Sequence, residues 1–361
     1  MRWTTTSQLA HLCLGLADVT RAHTIPSNQT VQAGHHVIFS YPGLQPPDHL
    51  FDLIKQGKVG GIILFGENVG ANLSTVVGEF QDAYKKSPAY AGVPLIITTD
   101  QEGGKIRRLP GGPEMSAKQV GQSSNPKHAA NQAAKDAASA LSDYQLNTNL
   151  APVLDVYRQP GDFMDSYDRS FGNTSALVGT CASAFITAQQ DAGVIATAKH
   201  FPGLGAASTN ENTDEKPVVI DQTLGQLRSV DEEPYHEAIA AEIDMVMTSW
   251  AIYPALDSKY PSGLSKKWVQ GELRERLGFR GVTITDAIEA GALENFGNDA
   301  ERGLLAAQAG MDVLLASARN VTQGEAIVDA LVSALQEGSL PTEPFSEATD
   351  RILALRRRIS A

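Results

Sequence analysis

The sequence predicts an α/β chain folded as one (β/α)8 TIM barrel. Three observations carry that prediction. Eight short runs rich in β-branched and apolar residues recur along the chain, the intervals between them carry helical spacing, and polar residues gather where the runs end. Near-continuous apolar runs are what strands buried on both faces of a parallel sheet require. Eight strand–helix units are enough to close a barrel. A doubly wound open sheet is the alternative architecture. It would call for a glycine-rich dinucleotide fingerprint behind a strand, and "GLGAAS" (Gly203–Ser208) has neither the spacing nor a helical pattern after it.

The elements follow in order. "HVIFSY" (His36–Tyr41) is the first strand, followed by helical spacing over Asp48–Lys55. "VGGIILF" (Val59–Phe65) precedes a helix over Leu73–Lys86, and "PLIITTD" (Pro94–Asp100) precedes one over Ala129–Tyr144. "LAPVLDV" (Leu150–Val156) leads to Ala176–Ala192, and "VIATAKH" (Val194–His200) to Tyr235–Glu242. "DMVMTSW" (Asp244–Trp250) leads to Ser265–Leu277, and then come "GVTITD" (Gly281–Asp286) and "MDVLLA" (Met311–Ala316). The tail, Val321–Ala361, reads as two helices, the second containing the basic "DRILALRRRIS". No linker or low-complexity tract divides residues 23–361, so a single barrel domain with a helical tail is expected.

Composition narrows the function. The 361 residues are 42% hydrophobic and 19% charged, with a formal net charge of −12. Without a dense Lys/Arg run, a nucleic-acid surface is not expected. An acidic chain does not favour anionic membranes, and no apolar run reaches the length of a bilayer span. Arg2, the apolar Leu9–Ala17 and small residues at Ala17 and Ala22 have the layout of a secretory leader over residues 1–22. Four glycosylation sequons, at Asn28, Asn72, Asn173 and Asn320, agree with secretion. A cytoplasmic location is the alternative. Cys13 would leave with the leader, so Cys181 would be alone and no internal disulfide is expected.

In a barrel of this kind, chemistry sits at the C-terminal ends of the strands. Run three ends in Asp100, run four carries Asp155, run five ends in Lys199-His200 and run seven ends in Asp286. Arg169 lies in "DSYDRSFG" after run four. Each residue alone is an ordinary loop charge; their shared rim is the signal. No His-Glu-x-x-His, cysteine cluster or calcium loop is present, so neither metal nor cofactor is expected. No Gly-x-Ser-x-Gly elbow marks a serine hydrolase. A rim of carboxylates with flanking cations suits glycoside hydrolysis, in which one carboxylate attacks the anomeric carbon and another group protonates the leaving oxygen.

"DQEGGKIRRL", "APVLDV", "DRSFG", "KHFPGLG", "YPALD" and "LGFRGVTITDAIEAGAL" occur in that order between His36 and Ala316. Together they resemble the family 3 glycoside hydrolases, most closely the single-domain β-N-acetylglucosaminidase branch. The resemblance implies a retaining exo-glycosidase that removes terminal β-linked N-acetylglucosamine from chitin-type oligosaccharides, peptidoglycan fragments or glycans. It makes Asp286 the nucleophile and Asp100, Arg169, Lys199 and His200 sugar-binding residues. Lys199 and Arg169 would also hold Asp286 ionised. Glu289 is expected on a solvated helix face. The oligomeric state is left open.

One motif departs from that branch. Its loop after the Lys-His turn carries an Asp-Ser/Thr-His acid/base pair. Here the loop reads "AASTNENTDEKPVV", which puts Glu211 at the Asp position and Thr213 at the His position. A threonine cannot donate the proton. Glu211 or Asp214 could take over as acid/base. Alternatively, Asp162, Asp165 or Asp168 could supply it from another loop, or the barrel could bind sugar without turning it over. β-Glucoside specificity and phosphorolysis of the glycosyl-enzyme stay open as further readings.

Overall fold

The computed structural model describes residues 29–359. The expected leader, Cys13 and the Asn28 sequon lie outside them. Eight strands form one parallel sheet: Val37–Phe39 (β1), Gly61–Ile63 (β2), Ile96–Thr99 (β3), Thr148–Asn149 (β4), Thr197–Phe201 (β5), Met245–Thr248 (β6), Val282–Ala287 (β7) and Val313–Leu315 (β8). Their order is β4-β3-β2-β1-β8-β7-β6-β5. Parallel bridges Thr148↔Ile195 and Val153↔Lys199 join the two ends of that order. Asn149 N–H donates to Ile195 O at 2.9 Å and Ile195 N–H to Asn147 O at 3.0 Å, which closes the ring. The (β/α)8 barrel is therefore present, and the open sheet is not.

Successive strand residues face opposite sides, and this sorts the apolar residues into two cores. Ile38, Ile63, Ile96, Met245, Val282 and Val313 fill the inside of the barrel. Val37, Phe39, Ile62, Leu95 and Ile97 face outward and pack beneath the helices. The terminal helix, Thr342–Ile359, sends Ile352 and Leu355 into the inner cluster and so plugs the floor. The mouth above is thus the end left for a ligand.

The expected helices are present with small shifts. They run Asp48–Lys55, Leu73–Lys85, Pro126–Asp143, Ser175–Asp191 and Glu233–Ala240, and the tail gives Val321–Glu337 and Thr342–Ile359. Lys267–Arg276 winds as a wide π-type helix rather than an α-helix. The run Leu150–Val156 is corrected: β4 is Thr148–Asn149, and "LAPVLDV" follows it with one bridge at Val153. Pro152 explains the shift, because it has no N–H to give a central ladder.

Floor and wall are joined through His36. Its Nδ1 lies 2.7 Å from Asp312 O, its Nε2 lies 2.8 Å from Thr349 Oγ1, and its ring stacks on Phe345 at 3.9 Å. Burial pushes its pKa down from 6.5 to about 4. Between those values the unfolded chain binds the proton and the folded chain does not, so stability falls as pH drops from 6.5 towards 4. His36 accounts for about 3 kcal/mol of that loss at pH 4. Urea unfolding should show the midpoint falling across this window, and His36→Gln should flatten the fall. A slope unchanged in the variant would contradict this account.

Candidate active site

The period of two decides which polar residues reach the mouth. Ile195 lies in the inner core, so Thr197 and then Lys199 follow it on the inner face of β5. Ile284 places Asp286 in the same way on β7, and Ile96 places Asp100 two steps past Thr98. All three line one cavity of about 480 Å³ at the C-terminal mouth, together with Glu102, Arg108, Arg169, His200, Thr213, Asp214, Glu289 and Arg319.

The cations on the floor of this cavity are fully engaged. Lys199, 2% exposed, reaches Asp100 Oδ1 at 2.8 Å and Glu102 Oε1 at 2.7 Å. Arg169 grips Glu102 with both prongs, Nε to Oε2 at 2.9 Å and a terminal nitrogen to Oε1 at 2.8 Å. Burial alone would neutralise these groups, but here each charge has its opposite in contact. Burial pushes the Glu102 carboxyl up, while Arg169 and Lys199 more than reverse this and hold it well below the usual carboxylate range. Burial likewise works against the Lys199 and Arg169 charges. Asp100 and Glu102 at the lysine, and Glu102 at the arginine, keep both above their usual ranges.

The direct partners of these cations are carboxylates of the floor. Lys199 and Arg169 are paired with Asp100 and Glu102, and neither forms an ion pair with Asp286. Asp286 Oδ1 accepts the Ala287 N–H at 2.8 Å, and the half-buried carboxylate is open to the cavity. His200 faces the cavity with its Nδ1 2.7 Å from Asp155 Oδ2. Asp155 also accepts the His200 and Leu204 N–H groups at 3.3 and 2.7 Å. A carboxylate that accepts from two amides takes the Nδ1 proton as well, leaving Nε2 as the uncommitted ring nitrogen.

The acid/base candidates separate clearly. Asp214 lines the cavity, whereas Glu211 turns back and accepts the Ser208 N–H at 2.7 Å within its own loop. Desolvation and then the charge on Asp286 push the Asp214 carboxyl up from 3.8 to about 6. Asp214 is nevertheless exposed at the cavity rim, so an occupant that covers it increases the shift. Asp162, Asp165 and Asp168 serve the neighbouring loop instead. Asp162 Oδ2 accepts the Arg158 and Gln159 N–H groups, Asp165 pairs with Lys118 at 2.8 Å, and Asp168 lies 3.6 Å from Lys105. None of the three lines the cavity.

The sequence of residues 29–355 matches the model of the glycosyl hydrolase family 3 N-terminal domain. The chain belongs to glycosyl hydrolase family 3. Over 340 residues it is 57% identical to an "uncharacterized secreted glycosyl hydrolase" of Arthroderma benhamiae, covering 94% of this chain and 96% of that one. It is 30% identical to the β-hexosaminidase A of Pseudoalteromonas piscicida, over 87% of this chain and 56% of that protein. Among solved structures, a family 3 β-N-acetylglucosaminidase of Paenibacillus superposes with a TM-score of 0.86 at 33% identity. That match covers 92% of this chain and 63% of the other. A β-N-acetylhexosaminidase of Beutenbergia cavernae gives 0.82 at 29% identity, over 92% and 99%.

Two residues of this family 3 site, Glu102 and Glu289, are not expected there from sequence, and a third, Asp155, is expected at the rim but without a role. Glu102 lies two residues past Asp100, and the two buried cations, Lys199 and Arg169, need more than one carboxylate between them. Asp155 stood at a strand end without a role; the imidazole it orients is the signal that points to it. Glu289 is corrected from a solvated helix face. It lines the cavity and accepts from Ser317 Oγ at 2.7 Å and Gln323 Nε2 at 3.2 Å.

Proposed function

We propose that this family 3 barrel is a retaining exo-glycosidase acting on terminal β-linked N-acetylglucosamine of chitin-type oligosaccharides and related glycans. The observation that carries the reading is one cavity holding an unpaired carboxylate, Asp286, beside a second carboxylate, Asp214, pushed up to about 6. The names of the relatives support the sugar. Asp100, Arg169, Lys199 and His200 offer the charged and polar groups that pyranose hydroxyls pair with.

The reaction runs in two steps. A carboxylate oxygen of Asp286 bonds to C1 as the glycosidic C1–O bond breaks, and Asp214 gives its proton to the departing oxygen. Water then attacks C1, Asp214 takes a proton from it, and the Asp286 ester bond breaks to free the sugar and both carboxyls. Asp286 suits attack because no protein cation ties it down. Asp214 suits proton donation because its negative neighbour favours the protonated form. Once Asp286 is esterified, that negative charge is gone, Asp214 becomes the stronger acid, and it is ready to act as the base.

Asp214→Asn tests the assignment. On N,N′-diacetylchitobiose kcat/KM should fall about 10²–10⁴-fold. On a 2,4-dinitrophenyl N-acetyl-β-glucosaminide, whose leaving group needs no proton, the loss should be under about tenfold, and azide should restore turnover. Equal losses on both substrates would remove Asp214 from the role, and Glu211→Gln is the control expected to keep the wild-type pattern. In the wild-type enzyme kcat/KM should fall as pH rises through about 6, because the donor must be protonated. A panel of aryl glycosides tests the sugar: faster cleavage of the glucoside than of the N-acetylglucosaminide would overturn that part. We place the protein outside the cell after removal of residues 1–22, which N-terminal sequencing of the exported protein checks. None of the described helices is long and apolar enough to cross a membrane.

A further inference from the structure

The segment that carries Asp214 is fastened to the segment that follows Asp286. Gly291 N–H donates to Asp214 O at 2.8 Å, and Ala292 N–H donates to Thr213 O at 3.0 Å. These two bonds join the loop after β5 to the turn after β7 at the level of the two carboxylates. The contact is close because position 291 has no side chain. A Cβ there would stand 2.2 Å from Glu215 O and 2.4 Å from Glu215 C. Neighbouring backbone cannot yield that much without moving the loop.

The turn that receives the loop is itself fixed. Ile288 N–H donates to Leu315 O on β8 at 3.1 Å, and Trp250 Nε1–H donates to Ala287 O at 2.8 Å. The Ala287 N–H in turn holds the Asp286 carboxylate. On the Asp214 side, Thr213 is 3% exposed, and beyond it Ile252 N–H donates to Val218 O at 2.9 Å. Both carboxylates therefore hang from one continuous backbone unit.

We propose that Gly291 is a positioning residue, which sets the separation of Asp214 from Asp286 by letting the two loops meet backbone to backbone. The inference rests on the reading of Asp214 as acid/base. A retaining mechanism needs its two carboxyls held about 5–5.5 Å apart, and in this protein a loop must meet that requirement. The missing side chain at 291 is what brings the loop in.

The test is Gly291→Ala, assayed against Asp214→Asn and the double variant. Gly291→Ala should lose about 100-fold or more in kcat/KM on N,N′-diacetylchitobiose and under about tenfold on the dinitrophenyl glycoside. Azide should rescue it. The double variant should be no slower than Asp214→Asn, since both changes act through one carboxyl. Equal losses on the two substrates, or losses that multiply in the double variant, would reduce Gly291 to a structural residue and overturn the proposal. If Asp214→Asn itself lacks the leaving-group signature, the reading of Asp214 fails instead, and the two failures are distinguishable. Amide exchange of the wild-type protein keeps the question open to refutation should the variant not fold. The Gly291 and Ala292 N–H groups should exchange as slowly as those of β7, and exchange at the rate of free loops would overturn the clamp.

Discussion

An Asp286→Ala variant is expected to lose roughly four orders of magnitude or more in kcat/KM on every N-acetyl-β-glucosaminide, good leaving group or poor. The other carboxylates of the cavity are not equivalent to it: Asp214 is pushed towards its protonated form. Asp100 and Glu102 are tied to Lys199 and Arg169, and Glu289 accepts from Ser317 and Gln323. The same variant should unfold at the wild-type urea midpoint. Asp286 is only half-buried and its carboxylate forms no ion pair, so removing it strands no buried charge. The variant should also change its neighbour. The charge on Asp286 is one of the causes that push Asp214 up, so the Asp214 carboxyl should titrate lower once residue 286 is neutral. Infrared or NMR titration of the carboxyls would show it. Turnover near the wild-type rate would end the assignment of the nucleophile. An unchanged Asp214 titration would separate the two carboxyls in space and remove the retaining pair.

Much of this site was legible because a parallel barrel converts sequence periodicity into direction. Each inner apolar residue fixes the facing of the next but one, so Ile195, Ile284 and Ile96 implied the inward aim of Lys199, Asp286 and Asp100. The helices were legible for a related reason: their buried faces repeat at three- and four-residue spacing, as in Leu50, Leu53 and Ile54. Partnership was much harder to read. Nothing local says that Lys199 pairs with Asp100 and Glu102, 99 and 97 residues away, rather than with Asp286. The fate of Glu289 depended on Ser317 and Gln323 in a later segment. The wide turn of Lys267–Arg276 is also invisible in its apolar pattern, which fits an α-helix nearly as well. Between Glu211 and Asp214 the sequence offered two carboxylates three residues apart. Folding sends one back into its loop and the other to the cavity, and the segment carrying the second is bonded through its backbone to residues 291 and 292, far along the chain.

Lys199→Met should be the most damaging substitution for stability among the cavity residues. The side chain is of similar length, so packing changes little and charge changes most. In the buried floor Asp100, Glu102, Lys199 and Arg169 form a neutral quartet, in which Lys199 contacts both carboxylates, while the partly exposed Arg108 stands outside it at the limit of ion-pair distance from Asp100. With Met at 199 the quartet carries one excess negative charge. Asp100 then keeps only Arg108, at 4.0 Å. Removing one partner of a buried ion pair costs about 3–5 kcal/mol, because the other charge is left in poor solvent. The pH dependence identifies the cause. The depressed Glu102 carboxyl contributes stability above its unfolded value of 4.5 and loses that contribution as pH falls below it. Without Lys199 the depression is smaller, so the gap between wild type and variant should be widest near pH 7 and narrow below about 4.5. Acid weakening through His36 is common to both proteins and cancels in the difference. A second change, Glu102→Gln, restores neutrality and should recover part of the loss at pH 7 although it removes another ionic contact. A gap that ignores pH, with no recovery in the double variant, would mean that lost packing rather than unbalanced charge destabilises the site, and the electrostatic account of this cavity floor would fall.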